Sequence, residues 1–316
     1  MRDQNVKGSF DAAVRCGIVL AAGDGRRMRD FVFRQRGDYL PKQYINFVGK
    51  RSMLEHTFDR AEQLIPADRL FVVIADEHRA FPEVRQQLLP RPRGTVIAQP
   101  QNKDTAPGVL LPLLYLHKEY PEAILAVFPS DHFVLEENLF MSHVERAFRL
   151  VEADRSRIVL LGIEANAPDP EYGYIVPGKH INKPERNGAR EVEVFVEKPS
   201  AAAAKTIIDY QGLWNSLVFI AASSTLLQMI QNASPELSRC FSLILEAMGS
   251  PEEKSVIEEV YREIPSINFS KEILENLSLR HRRALLVLPV SGVTWSDWGV
   301  SDRLLRDTAP PRGDSG

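Results

Sequence analysis

The stretch from Cys16 to Met28, CGIVLAAGDGRRM, restricts what this chain can fold into more than any other. It has the pattern of a buried strand opening into a turn of small residues, and Leu40-Pro41-Lys42-Gln43 follows it. Ala22, Gly23 and Gly25, with Asp24 between the glycines, keep the turn slim enough for backbone N–H groups to approach a phosphate chain. Arg27 and Lys42 bring the charge that neutralises such a chain. The pattern predicts a cradle for a nucleoside triphosphate; the plainer alternative is a turn that only joins a strand to a helix. No Gly-Lys-Ser/Thr closes the loop, and the three-glycine dinucleotide fingerprint is absent. Both facts argue against P-loop hydrolysis and nicotinamide chemistry.

A chain of 316 residues, 44% hydrophobic and 26% charged, can bury one large core or two modest ones, and one compact α/β unit is expected. Net charge is −3, with acids and bases interspersed. That leaves no electrostatic footprint for nucleic acid or an anionic membrane, so small molecules are the expected partners. Cys16 and Cys240 are too few for a disulfide framework and lack metal-site spacing, which fits a reducing cytoplasm. No apolar run approaches the roughly 20 residues that span a bilayer. Residues 1–14 lack an apolar signal core and are expected to be an N-terminal extension of a soluble chain.

Apolar, β-branched runs at 17–21, 70–75, 95–98, 124–128 and 158–163 alternate with segments of helical period, the pattern of a mostly parallel sheet flanked by helices. Ser52 and Glu55 form a capping box ahead of Leu54, Phe58, Ala61 and Ile65, whose spacing marks the buried face of a helix. After residue 163 the rhythm changes. Extended segments at 171–176 and 191–197, with a polar loop at 179–190 between them, predict a small antiparallel lobe at about 164–215 rather than a separate domain. A helix at 201–210, a strand at 214–221 that returns to the main sheet, and helices to about 277 complete the expectation. Residues 307–316 have the composition of a flexible tail.

Four further stretches carry chemistry. Strand 124–128 runs into Pro129-Ser130-Asp131-His132, which puts the Asp131 carboxylate where open α/β sheets bind ligands. Asp131 is a metal-ligand candidate, or caps the next helix. His132 is expected to be packed rather than ligating, because no second histidine stands at metal spacing. Asp297, in Trp295-Ser296-Asp297-Trp298-Gly299, follows the apolar run 284–290; if the fold brings it to Asp131, the two carboxylates suit Mg²⁺, and otherwise it faces solvent beside packed tryptophans. Glu197-Lys198 ends the alternating run 192–196, where Glu197 can accept sugar hydroxyls and Lys198 can pair with a phosphate, or the two form a surface ion pair. Asn215 offers an amide to a polyol, or serves a turn.

Taken in order, these motifs resemble the sugar-1-phosphate nucleotidyltransferases, most closely the mannose-1-phosphate guanylyltransferase type. The likeness runs from Cys16 to about Arg306 and includes Asp104-Thr105-Ala106-Pro107 and Tyr172-Gly173-Tyr174-Ile175. It implies a nucleotide-diphospho-sugar transferase fold, Rossmann-like, with a catalytic domain at 15–306 and the small lobe on the sugar side. It implies that backbone from Ala22 to Gly25 holds the nucleotide phosphates, with Arg27 on the triphosphate and Lys42 near the reacting phosphates. Gln99 and Thr105 then read the base, Gly173, Glu197 and Asn215 contact the sugar, Lys198 meets its phosphate, and Asp131 with Asp297 hold Mg²⁺. GTP and mannose 1-phosphate are the implied substrates, and a homodimer is compatible with the chain. Arg26 in place of a threonine, Lys103-Asp104 in place of Arg-Asn, Asn268 in place of an aspartate and a long 27–41 interval depart from the pattern. These departures leave open another nucleotide and sugar pair, or a non-catalytic, nucleotide-sugar-binding regulatory paralogue. The amino-terminal third also resembles the cytidylyltransferase of the methylerythritol phosphate route, but the motifs at 129–132, 197–199 and 295–299 favour the sugar enzymes.

Overall fold

A computed structural model describes residues 13–181 and 188–299. Residues 1–12 of the expected extension, the tail at 307–316 and the centre of the 179–190 loop lie outside the described residues.

The strands are β1 (Arg15–Leu20), β2 (Leu70–Ala75), β3 (Val96–Gln99), β4 (Ile124–Pro129), β5 (Phe133–Val134), β6 (Ile158–Glu164), β7 (Gly173–His180), β8 (Arg190–Glu197), β9 (Leu213–Ala222), β10 (Leu285–Val290) and β11 (Trp295–Ser296). Among the described residues the main sheet runs β3-β2-β1-β4-β9-β6-β10-β8-β7. β1, β2, β3 and β4 are parallel, as is the β6–β10 pair. The sheet is nonetheless mixed, because β9 lies antiparallel between β4 and β6, and β7 and β8 add antiparallel pairs. The mostly parallel expectation therefore describes the amino-terminal half.

Burial explains why β2, β4 and the part of β1 beyond Arg15 are apolar. Val19, Val72 and Ala126 face one core with Leu54, Phe58, Val144 and Phe148 of helices Met53–Ala61 and Glu137–Ala153. Ile18, Phe71 and Val127 face the other, with Val109 and Leu113 of helix Thr105–Glu119. Alternate residues point to opposite faces, so strands covered on both sides cannot alternate in polarity. The capping box forms, with Ser52 Oγ accepting from Glu55 N at 3.2 Å and Glu55 Oε2 accepting from Ser52 N at 2.7 Å. The small lobe belongs to the same sheet: β7 pairs with β8 and also returns to Leu213 and Trp214 at the start of β9. The long 27–41 interval holds a helix, Arg29–Arg36, stopped by Gly37. Two-residue strands β5 and β11 pair antiparallel in a ladder of their own, with Trp295 opposite Val134.

Candidate active site

A cavity of about 590 Å³ opens at the carboxyl ends of the parallel strands. The loop after β1 lines one side with Ala22, Gly23, Asp24 and Gly25; Gln99 and Thr105 line another; Asp131 and Asp297 close a third. The structure thus brings together residues as far apart in the chain as Ala22 and Asp297. A smaller adjoining cavity shares Gly25 and Asp131 with the first, and adds Arg27 and Lys42.

The loop is held from behind by the turn Lys42–Tyr44. Gln43 Nε2 donates to Ala21 O at 2.8 Å and to Gly23 O at 2.9 Å, and Tyr44 Oη donates to Ala21 O at 3.0 Å. Those carbonyls are therefore satisfied on the protein side. Gly25 has φ of 60°, a left-handed conformation that a side chain disfavours, and it packs against Lys42. Arg26 reaches back to Asp24 Oδ2 at 3.1 Å, and Asn102 Nδ2 donates to Asp24 Oδ1 at 3.0 Å.

The β5–β11 ladder carries Asp297 to the Asp131 segment. Lys42, 6% exposed, joins the two: its Nζ stands 3.0 Å from Asp131 Oδ2 and donates to Asp297 O at 2.7 Å and Trp298 O at 3.2 Å. The Asp297 carboxylate accepts from Tyr172 Oη at 3.1 Å and from Gly299 N at 2.9 Å. Half-exposed Arg27 pairs with Glu171 at 2.6 Å and lies 3.8 Å from Asp297 Oδ2. Asp131 does not cap the following helix, whose N-cap is Glu136. His132 is buried and packed edge-on against Trp295, and burial pushes its pKa down to about 4, so the ring is neutral at pH 7. Trp295 Nε1, which can only donate, meets its Nδ1 at 3.3 Å.

Gln99 is buried, and Tyr261 Oη donates to its Oε1 at 3.4 Å. Thr105 Oγ1 accepts from Phe269 N at 2.8 Å, and Asn268 Nδ2 donates to Asp104 Oδ1 at 3.2 Å, so the departure at Asn268 is built into this wall.

Gly173, Glu197 and Asn215 meet beside this cavity rather than in its wall. A Cβ on Gly173 would stand 2.6 Å from Glu197 Oε2 and 3.4 Å from Asn215 Cβ, so a side chain there would displace the Glu197 carboxylate. Burial pushes the Glu197 carboxyl up to about 7, although neighbouring Lys198 opposes the shift. Asn215 Nδ2 donates to Ser270 Oγ at 3.3 Å, while its Oδ1 accepts from Leu217 N at 3.1 Å; Leu217 lines the main cavity. Lys198 is exposed, with φ of 49°.

Sequence reasoning missed Gln43, Tyr44, Asn102, Glu171 and Tyr172. The Pro-Lys-Gln-Tyr run presents its lysine as the evident chemical group, and no local pattern marks a residue whose partner lies 125 positions away, as with Tyr172 and Asp297.

Residues 16–309 match the family described as nucleotidyl transferase. The chain is 31% identical over 222 residues to the xanthan biosynthesis protein XanB of Xanthomonas campestris pv. campestris, covering 70% of this chain and 45% of that protein. It is 28% identical over 297 residues to a mannose-1-phosphate guanylyltransferase of Salmonella montevideo, covering 90% of this chain and 60% of that protein. The crystal structure of a mannose-1-phosphate geranyltransferase from Thermus thermophilus superposes with a TM-score of 0.77 at 27% identity, covering 94% of this chain and 80% of that one. The chain spans about half the length of the curated relatives it matches.

Proposed function

This chain belongs to the nucleotidyl transferase family, and on that premise we propose that it transfers a nucleotidyl group from a nucleoside triphosphate to a sugar 1-phosphate, releasing pyrophosphate. GTP and mannose 1-phosphate are the favoured pair, supported by the guanylyltransferase of Salmonella montevideo, to which 90% of the chain aligns. The observation that carries the proposal is the cavity that joins the slim loop at 22–25 to Asp131 and Asp297 at the strand ends.

A phosphate monoester dianion is already a competent nucleophile at neutral pH, so the protein's task is to align two polyanions and offset their repulsion. Backbone N–H groups at 22–25 would take the nucleotide phosphates, and Arg27 would exchange its half-exposed ion pair with Glu171 for the triphosphate. Gln99 and Thr105 would contact the base. Glu197 and Asn215 would take sugar hydroxyls, with Gly173 leaving room and Lys198 pairing with the sugar phosphate.

Asp131 and Asp297 are hard oxygen donors at one cavity, and the Lys42 ammonium 3.0 Å from Asp131 Oδ2 marks the spot as one that favours a cation. That donor set fits Mg²⁺, which these two carboxylates would hold. When bound, Mg²⁺ would neutralise triphosphate charge and ease departure of pyrophosphate. Lys42 fixes the Asp297 segment through its two carbonyl bonds, so its contribution is placement as well as charge.

The test is pyrophosphate release by the purified chain in a matrix of four nucleoside triphosphates against mannose, glucose and N-acetylglucosamine 1-phosphates. GTP with mannose 1-phosphate is expected to be the best pair, by about a thousandfold over other bases if the base edge is read by buried hydrogen bonds. Preference for another base overturns the guanylyltransferase assignment and keeps the reaction. No release from any pair overturns the reaction.

A further inference from the structure

Asp24, Glu77 and His78 offer two carboxylates and an imidazole whose ligand atoms lie within 4.8 Å of one another, apart from the Asp131 and Asp297 pair. Asp24 comes from the loop after β1, whereas Glu77 and His78 come from the turn Asp76–Ala80 that follows β2. His78 is 2% exposed, and burial lowers its pKa, so the ring is neutral at pH 7. Its tautomer follows from its neighbours. Tyr44 Oη spends its one hydrogen on the Ala21 carbonyl, so toward the His78 ring its oxygen can only accept, and the ring nitrogen it meets carries a proton. That nitrogen is Nδ1, 3.2 Å from Tyr44 Oη. Nε2 is left with a lone pair, and the two carboxylates grouped with this ring can only accept.

Three acceptors brought together share no hydrogen among themselves. Asn102 and Arg26 each serve Asp24, and the Arg26 side chain is 82% exposed. We propose that Asp24, Glu77 and His78 form a site for a divalent transition ion of the Zn²⁺ class, which ties the loop after β1 to the turn after β2. An imidazole with two carboxylates suits Zn²⁺, whereas Mg²⁺ prefers oxygen donors and waters. Bonds of about 2.0–2.2 Å require ligand atoms closer than about 4.4 Å. Exposed Glu77 supplies that closure by swinging inward, and Arg26 gives up Asp24 to the ion.

Calorimetric titration with Zn²⁺ and the visible spectrum of added Co²⁺, both on the full chain carrying Asp131→Asn, test the site apart from the other carboxylate pair. One ion per chain is expected, with at least about tenfold weaker binding once Glu77→Gln or His78→Gln is added. Glu77 is exposed, so its variant keeps the test valid if the buried His78 variant misfolds. Unchanged Zn²⁺ affinity and Co²⁺ spectrum in the Glu77→Gln chain overturn the proposal. Loss of all binding on Asp131→Asn alone also overturns it, because the ion then belongs to the other pair.

Discussion

Lys42 differs most between its place in the sequence pattern and its place in the fold. The motif presents a cation for phosphates; the structure spends its hydrogens on Asp131 and on the carbonyls of Asp297 and Trp298. Lys42→Met is therefore expected to destabilise the fold by about 1–3 kcal/mol in urea unfolding, the cost of leaving buried polar partners unpaired. No change in stability would reduce Lys42 to a ligand contact. Asp297→Asn keeps the shape and hydrogen-bonding reach of the side chain but removes its charge, so turnover should fall by about two orders of magnitude or more with an unchanged circular dichroism spectrum. Near-normal turnover would take Asp297 out of the proposed metal pair. The residue types at the site were legible because slim loops, strand-end carboxylates and cations each follow from the chemistry of a polyanion. Their partners were not, since Gln43 acts through Ala21 and Gly23 and Tyr172 through Asp297, contacts that leave no period in the sequence.

At the level of elements, what could be read depended on how much local pattern each one carries. β1, β2, β4 and β6 announce themselves as apolar runs, and the Ser52 capping box fixed a helix start to the residue. Ser52→Ala should cost about 1 kcal/mol, measured by chemical denaturation, with turnover intact. β5 and β11 span two residues each, too short for any alternation, yet their ladder is what carries Asp297 to Asp131. The antiparallel place of β9 between β4 and β6 was likewise hidden, because a strand buried on both faces has the same apolar composition in either direction. Strands β7 and β8 set Gly173 opposite Glu197. Gly173→Ala must push the Glu197 carboxyl away, so the KM for sugar phosphate should rise about tenfold while the nucleotide KM stays within about twofold. Equal rises in both would mean that the substitution disturbs the whole sheet instead.

For the whole molecule, one continuous sheet couples the small lobe to the amino-terminal half, and Glu197 records that coupling as a dependence of stability on pH. Its carboxyl titrates near 7 in the folded chain against about 4.5 in the reference state, because burial between the strands disfavours the charge. Between those values the folded chain holds a proton that the unfolded chain has released. The favourable contribution is complete below about 4.5, declines as pH rises through the window, and is gone above about 7. Glu197→Gln cannot ionise, so its Tm relative to the parent should climb across that window and level off above it. Allowing for the carboxyl's partial contact with solvent, the difference should reach about 1–2 kcal/mol, or roughly 2–6 °C in Tm for a chain of this size. Subtracting the parent's curve removes every other titrating group common to both chains. A difference that stays flat from pH 4.5 to 7 would mean that Glu197 ionises at an ordinary pH and that its surroundings beside Gly173 are wetter than their packing indicates.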